Sequence, residues 1–139
     1  MSTSAVHVFA YGSLMIPRVM DRVAGRLFVQ EPAQLQGYAR YALRGETYPG
    51  LVEEEGVVTD GVLWRDIGDD DLQRLDTFEG EWYERRTVWV VVGADQVQAE
   101  TYVLIRTQQH RVSRRSWSRN RFESRYLQNF LANYKGPDQ

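Results

Sequence analysis

Cysteine is absent from the 139 residues, which excludes disulfide bonds and thiolate metal sites and suits a reducing compartment. No apolar run approaches the ~20 residues a membrane-spanning helix needs. The opening Met1-Ser2-Thr3-Ser4 lacks the basic-then-apolar pattern of a secretory leader. A cytoplasmic location without a membrane partner is therefore expected. Repeats, low-complexity tracts and linkers are missing too, so one domain over 1–139 is expected, with a helical extension from about residue 116. His7 and His110 have no partner at metal-ligand spacing, so no metal site is predicted. The chain has no Gly-x-Ser-x-Gly nucleophile elbow, because Ser13 sits in Tyr11-Gly12-Ser13-Leu14. A Gly-x-x-x-x-Gly-Lys-Ser/Thr phosphate loop is missing as well.

What is present is a chain able to fold. Hydrophobic residues make up 42%, too many for a disordered segment, and the length suffices for a core without staples. The net charge of −2 conceals an asymmetry. Glu53-Glu54-Glu55 and Asp69-Asp70-Asp71 fall in an acidic middle, whereas 106–125 carries Arg106, Arg111, Arg114, Arg115, Arg119, Arg121 and Arg125. A basic stripe of this kind binds phosphates or forms a solvated face. The acidic remainder and a pI near 5.7 argue against a nucleic-acid partner.

The pattern is strand-rich. Val6 to Tyr11 reads as a first strand. Gly12-Ser13-Leu14 interrupts it, and Pro17 opens a short helix to Ala24, closed by Gly25. Residues 33–44 alternate, with Ala33, Leu35, Gly37, Ala39, Tyr41 and Leu43 on one face, the pattern of a half-buried strand. A short extended piece at 48–52 and a strand at 57–67, bent or bulged at Gly61, follow. Asp69, Asp70 and Asp71 start a helix by capping its free amides; Leu72, Leu75 and Phe78 give it an apolar face; Gly80 ends it. Strands at 87–92 and 97–105 flank a hairpin turn at Gly93-Ala94-Asp95. The tail predicts one helix from Ser118 to Tyr134, with Phe122, Tyr126, Phe130 and Tyr134 in a stripe that packs on the domain. An aromatic row also suits base stacking, but helical spacing favours packing. Together these elements suggest an α+β domain whose sheet curls toward a barrel.

Two segments carry candidate chemistry. In Val8-Phe9-Ala10-Tyr11-Gly12-Ser13-Leu14 a strand enters a small-residue turn. Gly12 permits close backbone approach to a ligand, and the amides of Gly12, Ser13 and Leu14 can form an anion-binding nest. An ordinary strand-to-helix turn fits the same residues. In Leu75-Asp76-Thr77-Phe78-Glu79-Gly80, followed by Tyr83 and Arg85, Glu79 sits at a helix C-terminus. The dipole disfavours a carboxylate there and raises its pKa. An exposed helix-end glutamate is the bland alternative.

Both segments resemble signatures of the gamma-glutamylcyclotransferase-like superfamily: the first its Y-G-S-L loop, the second its L-D-x-x-E-G-x-x-Y-x-R segment. Tyr48-Pro49-Gly50-Leu51-Val52, Gly61-Val62-Leu63-Trp64 and Thr101-Tyr102-Val103 are similar to its intermediate motifs in the same order, and the tail with Trp117 and Phe122 is similar to the avirulence-induced-gene branch. The resemblance implies a small mixed β-barrel of about five to seven strands with flanking helices. It implies a transferase or lyase-type cyclisation that releases 5-oxoproline from a gamma-glutamyl amine, amide or peptide, a small-molecule partner, with no cofactor. It assigns Glu79 as general base and acid, and Tyr11, Gly12, Ser13 and Leu14 to substrate binding. Tyr83 and Arg85 are expected to support the fold. A non-catalytic binding protein of the same fold is the alternative. Leaving group and oligomeric state are left open.

Overall fold

The structure, a computed structural model, describes residues 5–134; the Met1-Ser2-Thr3-Ser4 stretch lies outside the described residues. Five strands form a closed barrel: β1 (Val6–Ala10), β2 (Gln30–Ala42), β3 (Pro49–Ile67), β4 (Tyr83–Val92) and β5 (Asp95–Leu104), neighbouring in the order β1-β3-β2-β4-β5. Every pairing is antiparallel except β1 with β5, so the barrel is mixed. That parallel seam has one register pair, Val8 with Glu100. Side chains reinforce it: Thr101 Oγ1 donates to Phe9 O at 2.9 Å and Tyr11 Oη to Tyr102 O at 2.6 Å.

Alternation on β1 separates two cores. Phe9 points into the barrel with Leu35, Leu51, Leu63, Val90 and Val103. Val8 and Ala10 point outward, beneath a layer of helices. That layer comprises α1 (Pro17–Ala24), α2 (Asp69–Glu79) and, in the tail, α3 (Arg119–Arg125) and α4 (Leu127–Asn133). Val19, Met20, Leu72, Leu75, Phe122 and Leu131 fill the gap between helices and barrel. α1 runs as its Pro17 start and Gly25 stop predict, with Gly25 at φ 83°. No helix among the described residues is long and apolar enough to cross a membrane.

Strand ends shift by a few residues, with β2 beginning at Gln30 and β4 at Tyr83, and four further differences carry physical reasons. Residues 48–52 and 57–67 belong to one 19-residue strand. It reads as two because the β2–β3 register jumps from Gln36↔Val58 to Tyr38↔Glu53, looping out residues 54–57 with Gly56 at φ 84°. Gly61 marks neither bend nor bulge, since pairing runs unbroken from Pro32↔Val62 to Gln34↔Asp60. A Cβ there would lie 2.3 Å from Ala10 O and 2.7 Å from the Phe9 ring, so the glycine admits β1 at close range. Asp69, Asp70 and Asp71 open α2, but no side chain caps it; buried Asp71 instead pairs with Arg74 at 3.1 Å and Arg26 at 3.5 Å. The tail helix is broken at Tyr126, φ −123° and ψ −18°. In an unbroken helix Phe122 and Leu127 would point about 140° apart; the break lets both bury.

Candidate active site

The turn after β1 and the last turn of α2 meet at a cavity of about 290 Å³. Tyr11, Gly12, Ser13 and Leu14 line one side and Phe78 and Glu79 the other. Two segments some 65 residues apart in sequence therefore share one space, and every residue singled out for binding or catalysis borders it.

The 11–14 turn is held by its carbonyls. Tyr11 O accepts from Arg40 Nη1 at 2.9 Å, Gly12 O from Met15 N at 3.0 Å, Ser13 O from Ile16 N at 3.0 Å and Leu14 O from the Trp64 indole at 3.0 Å. The amides of Gly12, Ser13 and Leu14 donate to no acceptor among the described residues. The turn thus leaves three donors unused at the edge of the cavity. A Cβ on Gly12 would sit 3.1 Å from the Pro49 ring, so larger residues crowd the wall.

Glu79 is the one charged side chain lining the cavity, and it has no hydrogen-bond or ion-pair partner among the described residues. It is partly accessible, from the cavity side. Burial, and secondarily the negative charge of Asp76, push its pKa up to about 8. The direction and the burial behind it are those expected of a glutamate that serves as a base in a pocket.

Asp76, one turn earlier on the same helix, is anchored. Its Oδ1 accepts from Tyr102 Oη at 2.7 Å and Arg85 Nε at 3.0 Å. Arg85 also reaches Glu100 at 2.8 Å. Tyr83 donates to Pro49 O at 2.6 Å. Tyr83 and Arg85 therefore brace the frame, as expected from the sequence. Burial pushes the Tyr11, Tyr83 and Tyr102 phenols up, so they stay neutral at ordinary pH.

Several residues at the cavity or behind its wall carry no catalytic or binding role in the sequence reading. Asp76 is visible in the quoted motif, and its spacing from Glu79 puts the two on one helix face. Tyr102 falls on the alternate face of β5, yet is 4% exposed because the helical layer covers that face. Phe122 and Phe130, read as packing residues, also form the cavity wall. Phe130 meets Phe78 edge-on at 5.8 Å.

A lone carboxylate and a turn of unused amides thus border one cavity at the edge of a closed mixed barrel. The chain belongs to the gamma-glutamyl cyclotransferase, AIG2-like family, whose model matches residues 8–119. It is 38% identical over 101 residues to Protein AIG2 C of Arabidopsis thaliana, a match covering 71% of this chain and 61% of that relative. The chain therefore spans under two thirds of that relative's length. A solution structure of an Arabidopsis thaliana protein superposes with a TM-score of 0.73 at 31% identity, covering 95% of this chain and 82% of the other. A structure described as a gamma-glutamyl cyclotransferase shares the fold, with a TM-score of 0.63 at 21% identity over 73% of this chain and 68% of its own.

Proposed function

We propose that the chain is a gamma-glutamyl cyclotransferase in which Glu79 carries protons between the two nitrogens of the substrate. The observation that carries this reading is the unpartnered Glu79 carboxylate, raised to about 8 inside the cavity. The reaction needs the substrate's α-amine to attack its own γ-carbonyl, closing a five-membered lactam and releasing the amine. Two protons move in all from the α-nitrogen to the leaving nitrogen. Glu79 takes the first from the α-ammonium, freeing the lone pair. The amine then adds to the γ-carbonyl carbon, and protonated Glu79 delivers to the leaving nitrogen as the C–N bond breaks. The second proton follows as the lactam nitrogen becomes neutral.

Magnitudes support this assignment. An ordinary glutamate, at about 4.3, is a weak base for an α-ammonium, whose pKa is about 8 at a peptide terminus and higher beside the free α-carboxylate of a gamma-glutamyl group. Raising the glutamate to about 8 removes roughly 5 kcal/mol of that uphill transfer. The attack is intramolecular, so the pocket has only to hold one folded conformer. The amides of Gly12, Ser13 and Leu14 suit an anionic oxygen of the substrate. Tyr11 forms the pocket wall beside them. The Tyr11, Tyr83 and Tyr102 hydroxyls already donate elsewhere, and Glu79 is the one carboxyl that lines the cavity.

The test is a panel of gamma-glutamyl amino acids, peptides and amines assayed for 5-oxoproline. Release from at least one compound, with kcat/KM rising with pH through about 8, is expected, because only the carboxylate accepts the proton. Binding without release across the panel would make the pocket a receptor for gamma-glutamyl groups and end the enzymatic reading.

A further inference from the structure

The pairing of β1 with β3 ends at Ala10↔Val62. Beyond it, one nitrogen takes a carbonyl from each side: Arg40 Nη1 donates to Tyr11 O at 2.9 Å and to Asp60 O at 3.0 Å. Arg40 belongs to β2 and does not line the cavity. Its guanidinium lies 5.7 Å from the centre of the Trp117 ring, a cation–π distance. That ring is fixed in turn, since the indole donates to Thr47 O at 2.8 Å.

Two carbonyls do not by themselves call for a guanidinium, because a neutral donor would satisfy them. The arginine also brings a charge, and that charge makes no ion pair among the described residues. The carboxylate of Asp60 acts on it but accepts from Gln34 Nε2 at 3.0 Å instead. Burial holds the Arg40 pKa below the ordinary guanidinium value, which marks a half-buried cation whose charge is incompletely compensated. A residue kept against such a penalty is a candidate for function. The cavity, for its part, is bordered by no cation.

We propose that Arg40 is a positioning residue for ligand binding, acting through the Tyr11–Gly12 peptide to make the 12–14 amides fit to hold a carboxylate. Tyr11 O and the Gly12 N–H are the two ends of one planar peptide unit. A charged donor on the oxygen draws electron density from the nitrogen, so the N–H becomes the stronger donor. Planarity also means that the contact fixes the direction in which that N–H points. An anion accepted by the Gly12 N–H lies about 8 Å from the guanidinium, along a line of two hydrogen bonds. At that range, with an effective dielectric of about 20, a unit charge changes affinity by up to about thirtyfold. The inference rests on the cyclotransferase reading, in which an anionic oxygen of the ligand meets these amides.

The experiment compares 5-oxoproline with 5-oxoprolinamide, equal in size and differing by one charge. Calorimetric binding is measured at about pH 6, where a Glu79 carboxyl at about 8 is protonated. The proteins are the wild type, Arg40→Gln, Arg40→Lys and Asp60→Asn. The wild type should prefer the acid. Arg40→Gln should cut that preference roughly tenfold by weakening the acid alone, and Arg40→Lys should restore most of it. A brace without an electrostatic role would weaken both ligands alike, or neither. Asp60→Asn keeps the backbone carbonyl and removes an exposed charge that opposes Arg40. It should raise the acid preference about twofold, a result that does not depend on Arg40→Gln folding. An acid preference that Arg40→Gln leaves intact, that Arg40→Lys does not restore, or that Asp60→Asn does not raise overturns the assignment. If these ratios move as stated while no gamma-glutamyl compound releases 5-oxoproline, the cyclotransferase reading fails and the role of Arg40 toward a bound carboxylate stands.

Discussion

Asp76 and Glu79 lie one turn apart on α2, and their surroundings differ sharply. Asp76 accepts from Tyr102 and Arg85, and through Arg85 is tied to Glu100 on β5. Glu79 looks into a cavity walled by rings and unused amides, with no partner among the described residues. Hydrogen bonds to the charged form hold a carboxylate ionised; desolvation without them favours the protonated form. One helix thus presents a carboxylate held by two donors and, three residues on, a carboxyl without a partner, raised by burial first and by its neighbour second. The comparison teaches that position on a helix does not set a carboxylate's role; the groups brought to it from distant strands do.

The largest expected effect is on stability as a function of pH. The pKa of Glu79 in the folded protein, about 8, exceeds the ordinary glutamate value of about 4.3 in the unfolded chain. The folded state therefore binds more protons between these values. Stability from Glu79 is fully present below about pH 4 and is lost as pH rises through about 8. The loss is at most about 5 kcal/mol. Glu79→Gln stays neutral, so its thermal midpoint should overtake that of the wild type at pH 8.5 and not at pH 4. Parallel pH curves for the two proteins would mean that the carboxyl is not held in a dry site.

Next comes the aromatic wall of the cavity that Glu79 borders. Phe122 is 3% exposed and faces the cavity. Phe122→Ala should cost about 3–5 kcal/mol in denaturant unfolding. It should also move the kcat/KM midpoint toward lower pH, because water then reaches the carboxylate. Lost stability with an unmoved midpoint would separate packing from electrostatics and weaken the link drawn between them.

Asp76→Asn breaks the anchored side of the pair. Removing the negative charge should lower the activity midpoint, since that charge raises Glu79. Leaving Arg85 and Tyr102 with a poorer acceptor should cost about 1–3 kcal/mol of stability. A midpoint that rises instead would contradict the coupling. The smallest effect belongs to the controls: Glu81 and Glu84 lie past Gly80 and are exposed, with Glu84 paired to Arg86. Their Gln variants should keep wild-type rates and change stability by less than about 0.5 kcal/mol.

Much of this was readable from the chain because its causes are local. Pro17 and Gly25 bracket α1, Gly80 ends α2, and the apolar alternation of 33–39 marks β2. The motifs around Gly12 and Glu79 pointed to the two sides of one cavity. What stayed hidden depends on contacts between distant residues. Nothing near Asp76 announces that Tyr102 will reach it from β5. The looped-out residues 54–57 disguise one long strand as two, and Gly61 reveals its purpose only against Phe9 and Ala10. The tail stripe promised packing, but the break at Tyr126 and the use of Phe122 as a cavity wall follow from the surface it meets.

The most direct test is 5-oxoproline release from the best gamma-glutamyl substrate by wild type and Glu79→Gln, at pH 8 and with substrate binding measured in parallel. Glutamine keeps the shape and hydrogen-bonding reach of Glu79 but cannot take the ammonium proton. The account predicts that binding survives while kcat falls by at least about 10²-fold, the scale of a lost general base. A variant that binds and releases 5-oxoproline at the wild-type rate would contradict it.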